Sequence, residues 1–165
     1  MKKQFLMLML LVPAVTFAQK FGHVDYQEVM GSMPEFIQAR GDLEALQKQY
    51  ENDLKAMQDE IQRKSDEYEK NKSTMNSTMQ QETETSLNEL FQKYQQAYQD
   101  NQQALQKAQE EKLQPIQEKV IKAIEAVGVA GGYVYIMQAN SLPYISATLS
   151  VDVTEEVKAE INKLK

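Results

Sequence analysis

The sequence predicts a mainly α-helical fold with a small β base, in which a long antiparallel helical hairpin projects from a small β-sheet. Between Pro34 and Val127 the chain consists mostly of strong helix formers, chiefly Gln, Glu, Lys, Leu and Ala. Apolar residues in this stretch recur at spacings of three and four in two separate runs, as expected of two amphipathic helices. Short β-branched and aromatic runs lie outside it, towards both ends of the chain, and predict the strands of the base.

The first 18 residues have the pattern of a secretory signal peptide. Two lysines precede an apolar stretch from Phe5 to Val15, and small residues around Ala18 suit signal peptidase. An apolar run of about a dozen residues is too short for a membrane anchor, which needs roughly 20. We therefore expect export with cleavage near Ala18, leaving residues 19–165 as one domain, which is what a chain of 165 residues has room for.

The composition argues against several function classes. The chain has no cysteine and one histidine, His23, so we expect no thiol catalysis, no multi-histidine metal site and no lipid-modified cysteine. We interpret His23 as a structural strand residue, since no partner motif accompanies it. None of the six glycines begins a phosphate-binding loop, and no pair of carboxylates stands out from the charged helix faces. The protein is therefore not expected to be an enzyme or to bind a cofactor.

The charge of the exported chain limits its partners. Removal of the signal takes away two lysines and leaves 16 basic against 24 acidic residues, a formal charge of −8. Binding to phosphate backbones or anionic membrane surfaces depends on clustered positive charge. We expect no nucleic-acid partner, and the acidic character argues against contact with membrane or lipopolysaccharide.

The hairpin, or arm, is predicted over residues 34–127. Ser32 and Glu35 fit a capping box around Pro34, which suits the first turn of a helix. The first apolar stripe comprises Leu43, Leu46, Tyr50, Leu54, Met57, Ile61 and Tyr68. The second comprises Leu87, Leu90, Tyr94, Tyr98, Leu105, Ala108, Ile116, Val120, Ile124 and Val127. Two stripes of similar width predict two helices that cover each other.

The periodicity is lost between Glu69 and Ser86, so we expect the chain to reverse there, at the tip of the arm. Ser, Thr and Asn in this segment compete for backbone hydrogen bonds. One uninterrupted helix of about 90 residues is the alternative, but it leaves both stripes without a cover unless another chain supplies one. Pro115 removes a backbone hydrogen bond from the returning helix and is expected to bend it or to be absorbed by local unwinding. Either outcome affects the shape of the arm. A second interpretation is that Pro115 acts as a hinge that lets the arms move apart.

The base is predicted from residues 19–33 and 128–165. We expect strands at Phe21–Tyr26, Tyr133–Met137 and Pro143–Thr148, then a short helix over Glu155–Lys163 with Thr154 as its cap. One small helix cannot cover three strands that are apolar on both faces. The base should therefore pair with copies of itself, although strand patterns do not fix the number of copies.

Several short runs, in this order around a hairpin of this length, resemble the Skp/OmpH family of periplasmic chaperones. They are the runs at 20–25, 113–117, 132–135 and 152–157, which read KFGHVD, LQPIQ, GYVY and DVTEEV. The resemblance extends over essentially the whole exported chain. It implies a homotrimer whose base strands assemble into a β-barrel and whose arms surround a cavity. It also implies an ATP-independent holding function, with unfolded outer-membrane β-barrel proteins as clients in the periplasm.

Two sets of candidate residues follow. Pliable or aromatic arm side chains are the candidates for client binding: Met57, Tyr68, Met75, Met79, Phe91 and Tyr98. Apolar side chains of the predicted strands are the candidates for the trimer base: Phe21, Val24, Tyr133, Tyr135, Ile136, Tyr144 and Ile145. An envelope scaffold or adaptor, with the hairpin as a spacer, is the alternative function. Such a protein should carry a sizeable apolar docking patch at its tip, where Glu69–Ser86 offers only two methionines.

Overall fold

A computed structural model describes residues 19–164, and the predicted signal peptide lies outside them. Strand β1 covers Lys20–Val24 and helix α1 covers Tyr26–Ser32. The arm consists of α2, Pro34–Asn71, and α3, Ser77–Gly131. Strands β2 (Tyr133–Gln138) and β3 (Ser150–Asp152) follow, then helix α4 (Thr154–Ile161). The predicted fold class, long helices on a small three-stranded sheet, is confirmed.

The main cluster of buried side chains lies at the base. Its side chains come from β1, α1, the first turns of α2, the second half of α3 and α4, and include Val24, Val29, Met33, Val120 and Val157, each at most 2% exposed. Burial of this kind contributes about 1.5 to 3 kcal/mol per large apolar side chain. The fold is therefore held at the base, and the arm depends on it.

The sheet has the order β2-β1-β3, and both outer strands run parallel to β1. Phe21 pairs with Tyr135 on one side and with Ser150 on the other. Parallel neighbours require crossover connections, and the whole arm is the crossover from β1 to β2. Consequently β2 and β3 each have one edge without a strand partner among residues 19–164.

The arm is a pair of helices that share one seam. All seven residues of the first predicted stripe are buried or half-buried, and most of the second stripe is too. At about 1.5 Å per residue, α2 and α3 extend roughly 57 and 80 Å. Pro115 lies within α3, which continues through it as one helix. No helix among residues 19–164 is both long and apolar enough to cross a bilayer.

The reversal at the tip is tighter than the segment 69–86 in which it was expected. A short 3₁₀ turn at Lys72–Thr74 ends α2, and α3 begins after Asn76, whose side chain accepts a hydrogen bond from the Met79 backbone N–H. The Asn76 cap satisfies one of the free N–H groups that begin a helix.

The start of the arm differs from the sequence interpretation. Ser32 does not cap α2: it ends the separate helix α1, where its hydroxyl donates to the Val29 carbonyl. Asp25 caps α1 by accepting from the Glu28 backbone N–H, whereas Met33 precedes α2 without a side-chain cap. Likewise Thr154 is the first residue of α4 rather than its cap.

The third strand was placed wrongly. Residues 142–149 form turns and irregular structure, and β3 is the three-residue segment Ser150–Asp152. Its position is set by pairing with Phe21–His23 and by the Val153 N–H, which donates to the His23 carbonyl at 2.9 Å. The β-branched and aromatic residues of Pro143–Thr148 pair with no strand among residues 19–164.

Candidate functional site

Exposed apolar side chains lie along α3, away from the seam. Met79, Phe91 and Tyr98 are about half exposed, at 49%, 51% and 49%. Residues seven apart share a helix face, so Phe91 and Tyr98 lie on one side of α3 and present ring surface to solvent. Tyr98 had also been assigned to the seam, and that assignment is wrong: its neighbour Ala97 is half-buried in its place.

The other three candidates for client binding are less accessible. Met57 is half-buried in the seam, and Met75 is half-buried at the tip. Tyr68 is 5% exposed, so its ring seals the arm rather than offering a surface. The structure therefore divides the six candidates into three exposed residues on α3 and three residues that pack between the helices or at the tip.

Hydrogen bonds tie the tip of the arm together. The Tyr68 hydroxyl donates to the Glu84 carboxylate, and the Lys72 ammonium lies 5.1 Å from the centre of the Tyr68 ring. The Gln80 amide donates to the carbonyls of Lys72 and Met75 at 2.9 and 3.2 Å. Because the Tyr68 hydroxyl donates a hydrogen bond to the Glu84 carboxylate, and because the phenol is partly desolvated, the pKa of Tyr68 is raised to about 12.

Two ion pairs join α2 to α3 on either side of Pro115. Lys112 lies 2.7 Å from Asp42, and Lys119 lies 2.9 Å from Glu35. The hydrogen bond from Lys119 holds the pKa of Glu35 below its usual range. Among residues 19–164 these are the two ion pairs between the arm helices, so charge pairing couples the helices where the proline interrupts the backbone hydrogen bonds of α3.

One face of the sheet carries apolar side chains that no helix in the described part of the chain covers. On this open face, Phe21 and Tyr135 stack with their ring centres 4.8 Å apart. Tyr135 is 49% exposed and its neighbour on the same face, Met137, is 39% exposed. Together with the free edges of β2 and β3, this surface could bury apolar rings and complete a ladder of backbone hydrogen bonds with another chain.

The remaining candidates for the trimer base have different surroundings. Val24 is 2% exposed inside the core, and Tyr133 and Ile136 pack against that core. Gly22 packs closely against them, since an added Cβ would lie 3.0 Å from Ile136 and 3.1 Å from Tyr133 and both side chains would have to shift slightly. Tyr144 is 78% exposed and Ile145 half-buried, both in the segment that forms no strand. Phe21 and Tyr135 are thus the two candidates on the open face.

His23 contacts two side chains of β3. Its Nδ1 lies 2.9 Å from the Ser150 hydroxyl, and its Nε2 lies 3.9 Å from the Asp152 carboxylate. Asp152 also accepts hydrogen bonds from the Thr154 backbone and hydroxyl, and the hydroxyl bond lowers the pKa of Asp152. Because both partners of His23 lie on the adjacent strand, this arrangement ties β1 to β3. The part of the chain described contains no group of three acidic or histidine ligands arranged for a metal ion.

Sequence reasoning missed several exposed apolar side chains: Ile37, Ile121, Val129, Val134, Met137, Leu149 and Val151. For three of them a signal existed, because Val134 and Met137 lie in a predicted strand and Leu149 directly follows another. Which face of a strand remains exposed to solvent depends on where the helices pack, and a local sequence pattern does not predict that packing.

Comparison with known proteins agrees with this architecture. The family model described as "Outer membrane protein (OmpH-like)" matches residues 20–161. A crystal structure from Caulobacter crescentus, of a protein named as a candidate outer membrane chaperone (OmpH-like), superposes with a TM-score of 0.73. That match has 13% sequence identity and covers 88% of this chain and 85% of the other. No curated protein matches the sequence. The family match spans nearly all of the described residues, and the chain belongs to the OmpH-like family of outer membrane proteins.

Proposed function

We propose that this protein is an ATP-independent holding chaperone of the periplasm, which binds unfolded outer-membrane β-barrel proteins between its arms and prevents their aggregation. The observation that carries the proposal is the set of three half-exposed apolar side chains on α3, Met79, Phe91 and Tyr98, which lie on the arm and outside the buried core of the base. Membership of the OmpH-like family supports a chaperone role.

The physical properties of the arm suit this task. Unfolded clients present many different apolar segments, so a holding chaperone needs many weak contacts rather than one shaped pocket. The rings of Phe91 and Tyr98 and the thioether of Met79 offer such contacts along α3, and a methionine side chain adapts to varied partners. The acidic and glutamine-rich remainder of the arm keeps the chaperone itself soluble.

We further propose that three copies assemble through the open sheet face and the free strand edges, so that three arms enclose one cavity. Phe21 and Tyr135 would lie at the centre of the contact, where their rings are removed from water. The exposed β2 and β3 edges support assembly, because unpaired edges favour pairing with another chain. Sedimentation equilibrium tests this: a folded monomer at micromolar concentration would contradict it.

Holding activity is tested with a denatured porin. Rapid dilution of the porin from denaturant, with and without the mature protein and in the absence of ATP, is followed by light scattering. We expect scattering to be suppressed at a stoichiometric ratio of chaperone trimer to porin. A triple variant, Met79→Ala, Phe91→Ala and Tyr98→Ala, tests the exposed side chains and leaves the seam and the base unchanged. Equal suppression of scattering by this variant would show that these three side chains do not hold the client.

A further inference from the structure

Gln19 occupies a special position in this chain. It directly follows Ala18, after which the signal is expected to be cleaved, and it directly precedes β1. Its side chain is exposed and it belongs to no strand or helix. Cleavage at that bond would make Gln19 the N-terminal residue of the exported protein.

We propose that Gln19 is a modification site, at which the new N-terminus cyclises to pyroglutamate. The proposal rests on the export described under Proposed function. The free α-amino nitrogen of Gln19 attacks the side-chain amide carbon Cδ and forms a five-membered lactam. The bond from Cδ to Nε2 breaks, the leaving nitrogen takes a proton from the attacking amine, and ammonia departs. The reaction is balanced without an oxidant, a reductant or any other reactant.

The surroundings of Gln19 leave both reacting groups accessible. The next residue, Lys20, is anchored: its ammonium lies 3.3 Å from the Gly131 carbonyl oxygen and 4.1 Å from the centre of the Tyr133 ring. Pairing of β1 with β2 also begins at Lys20, opposite Tyr133. The base therefore fixes the chain up to Lys20, whereas Gln19 projects into solvent, where its amine and amide can meet each other and a cyclising enzyme.

Cyclisation changes the charge at the edge of the base. A free α-amino group has a pKa of about 7.7 to 8.0, so it is mostly protonated at neutral pH. This second cation would lie one residue from the Lys20 ammonium. Lactam formation removes that charge, and it also removes the amine that an aminopeptidase needs.

The test uses the full chain, expressed with its leader and purified from the periplasm. The folded protein is incubated with a glutaminyl cyclase, and its intact mass is measured before and after. We expect a final mass equal to that of residues 19–165 less one molecule of ammonia, and an N-terminus that is blocked to Edman degradation, which needs a free α-amine and does not depend on the Lys20 side chain. The Gln19→Asn variant is the matched control. Its side chain is one methylene shorter and would have to close a four-membered ring, so it should keep its amine.

The other outcomes are distinguishable. If folded protein beginning at Gln19 keeps its amine while a peptide of residues 19–26 is cyclised by the same enzyme, the terminus is inaccessible and the inference is overturned. A chain cleaved at another bond overturns the inference but leaves export intact. A chain that still begins at Met1 contradicts the proposed export, independently of the chemistry at Gln19.

Discussion

Tyr68, one turn from the end of α2, donates its hydroxyl to the Glu84 carboxylate on α3. Tyr68 is 5% exposed, so a single phenol both closes the apolar seam and joins the two helices by a charge-assisted hydrogen bond. The buried core lies at the other end of the arm. This contact therefore gives the tip a stabilising interaction of its own. The raised pKa of Tyr68 allows the interaction to be followed by titration.

We predict that the tip loosens at alkaline pH and that Tyr68→Phe removes this effect. The pKa of Tyr68 is raised to about 12 by the hydrogen bond to Glu84, against about 10 for an unperturbed tyrosine. Since the folded value is the higher one, the stabilisation is complete below about pH 10 and is lost as the pH rises towards 12. When tyrosinate absorbance is followed against pH, the unmodified protein should show a last step near pH 12, and Tyr68→Phe should lack that step. Tyr98→Phe on the same arm is the control, and loss of that step in Tyr98→Phe would contradict the assignment.

At acid pH we expect the junction between the arm and the base to weaken. The hydrogen bond from Lys119 lowers the pKa of Glu35, so the stabilisation is present above the unfolded value of about 4.3 and is lost as the pH falls through the folded one. Because the pair is partly exposed, Glu35→Gln should cost less than about 1 kcal/mol at neutral pH. The denaturant midpoint of Glu35→Gln should converge with that of the unmodified protein as the pH falls through the folded pKa of Glu35. Glu44→Gln, at an exposed carboxylate of the same helix, should show no such convergence.

Substitutions at two adjacent residues of β2 should separate folding from assembly. Ile136 packs against the core, so Ile136→Asp places a carboxylate among apolar side chains and should unfold the base, at a cost of several kcal/mol. Tyr135 is 49% exposed on the open face, so Tyr135→Asp should keep its circular dichroism and lose its oligomer mass. Met79→Asp is the control, because it also places a charge at an apolar site that is 49% exposed but lies on the arm. It should keep its oligomer mass. If Tyr135→Asp sediments as the unmodified protein does, the open face is not the interface.

The sequence predicted the arm well because its signals are local. Spacings of three and four place Leu43, Tyr50 and Ile61 on one helix face wherever that helix lies, and all three are at least half-buried. The failure at Tyr98 shows the limit of the method. Periodicity allows either Ala97 or Tyr98 on the seam, and the choice between them depends on how the two helices pack against each other.

The base was predicted less well because its contacts join distant parts of the chain. β3 has three residues and lies where Phe21–His23 offer it a partner, about 130 positions away. The more β-like segment Pro143–Thr148 has no partner strand in the described part of the chain and forms no strand. The seven-residue helix α1 was missed since its Asp25 cap lies within the predicted first strand. Intrinsic preference alone could not decide between these alternatives.

Finally, we predict that client binding needs no nucleotide and that no single side chain dominates it. Met79, Phe91 and Tyr98 are separate, half-exposed contacts, and Met75 is half-buried at the tip. Each single change to Ala should therefore weaken binding of an unfolded porin by less than about 1 kcal/mol, below the 2 kcal/mol that marks an interface hot spot. Titration of a fluorescently labelled porin measures this, with and without ATP.

Gln95→Ala is the matched control for these variants. Gln95 is exposed four residues after Phe91 and three before Tyr98, so it lies on the same helix face without an apolar side chain. Its replacement should leave affinity unchanged, whereas the triple change at Met79, Phe91 and Tyr98 should cost more than any single one. A tenfold loss from one single change, about 1.4 kcal/mol, in a variant that stays oligomeric would indicate a discrete docking site. That result would favour an envelope scaffold over a holding chaperone, because a fixed partner is recognised by a few strong contacts.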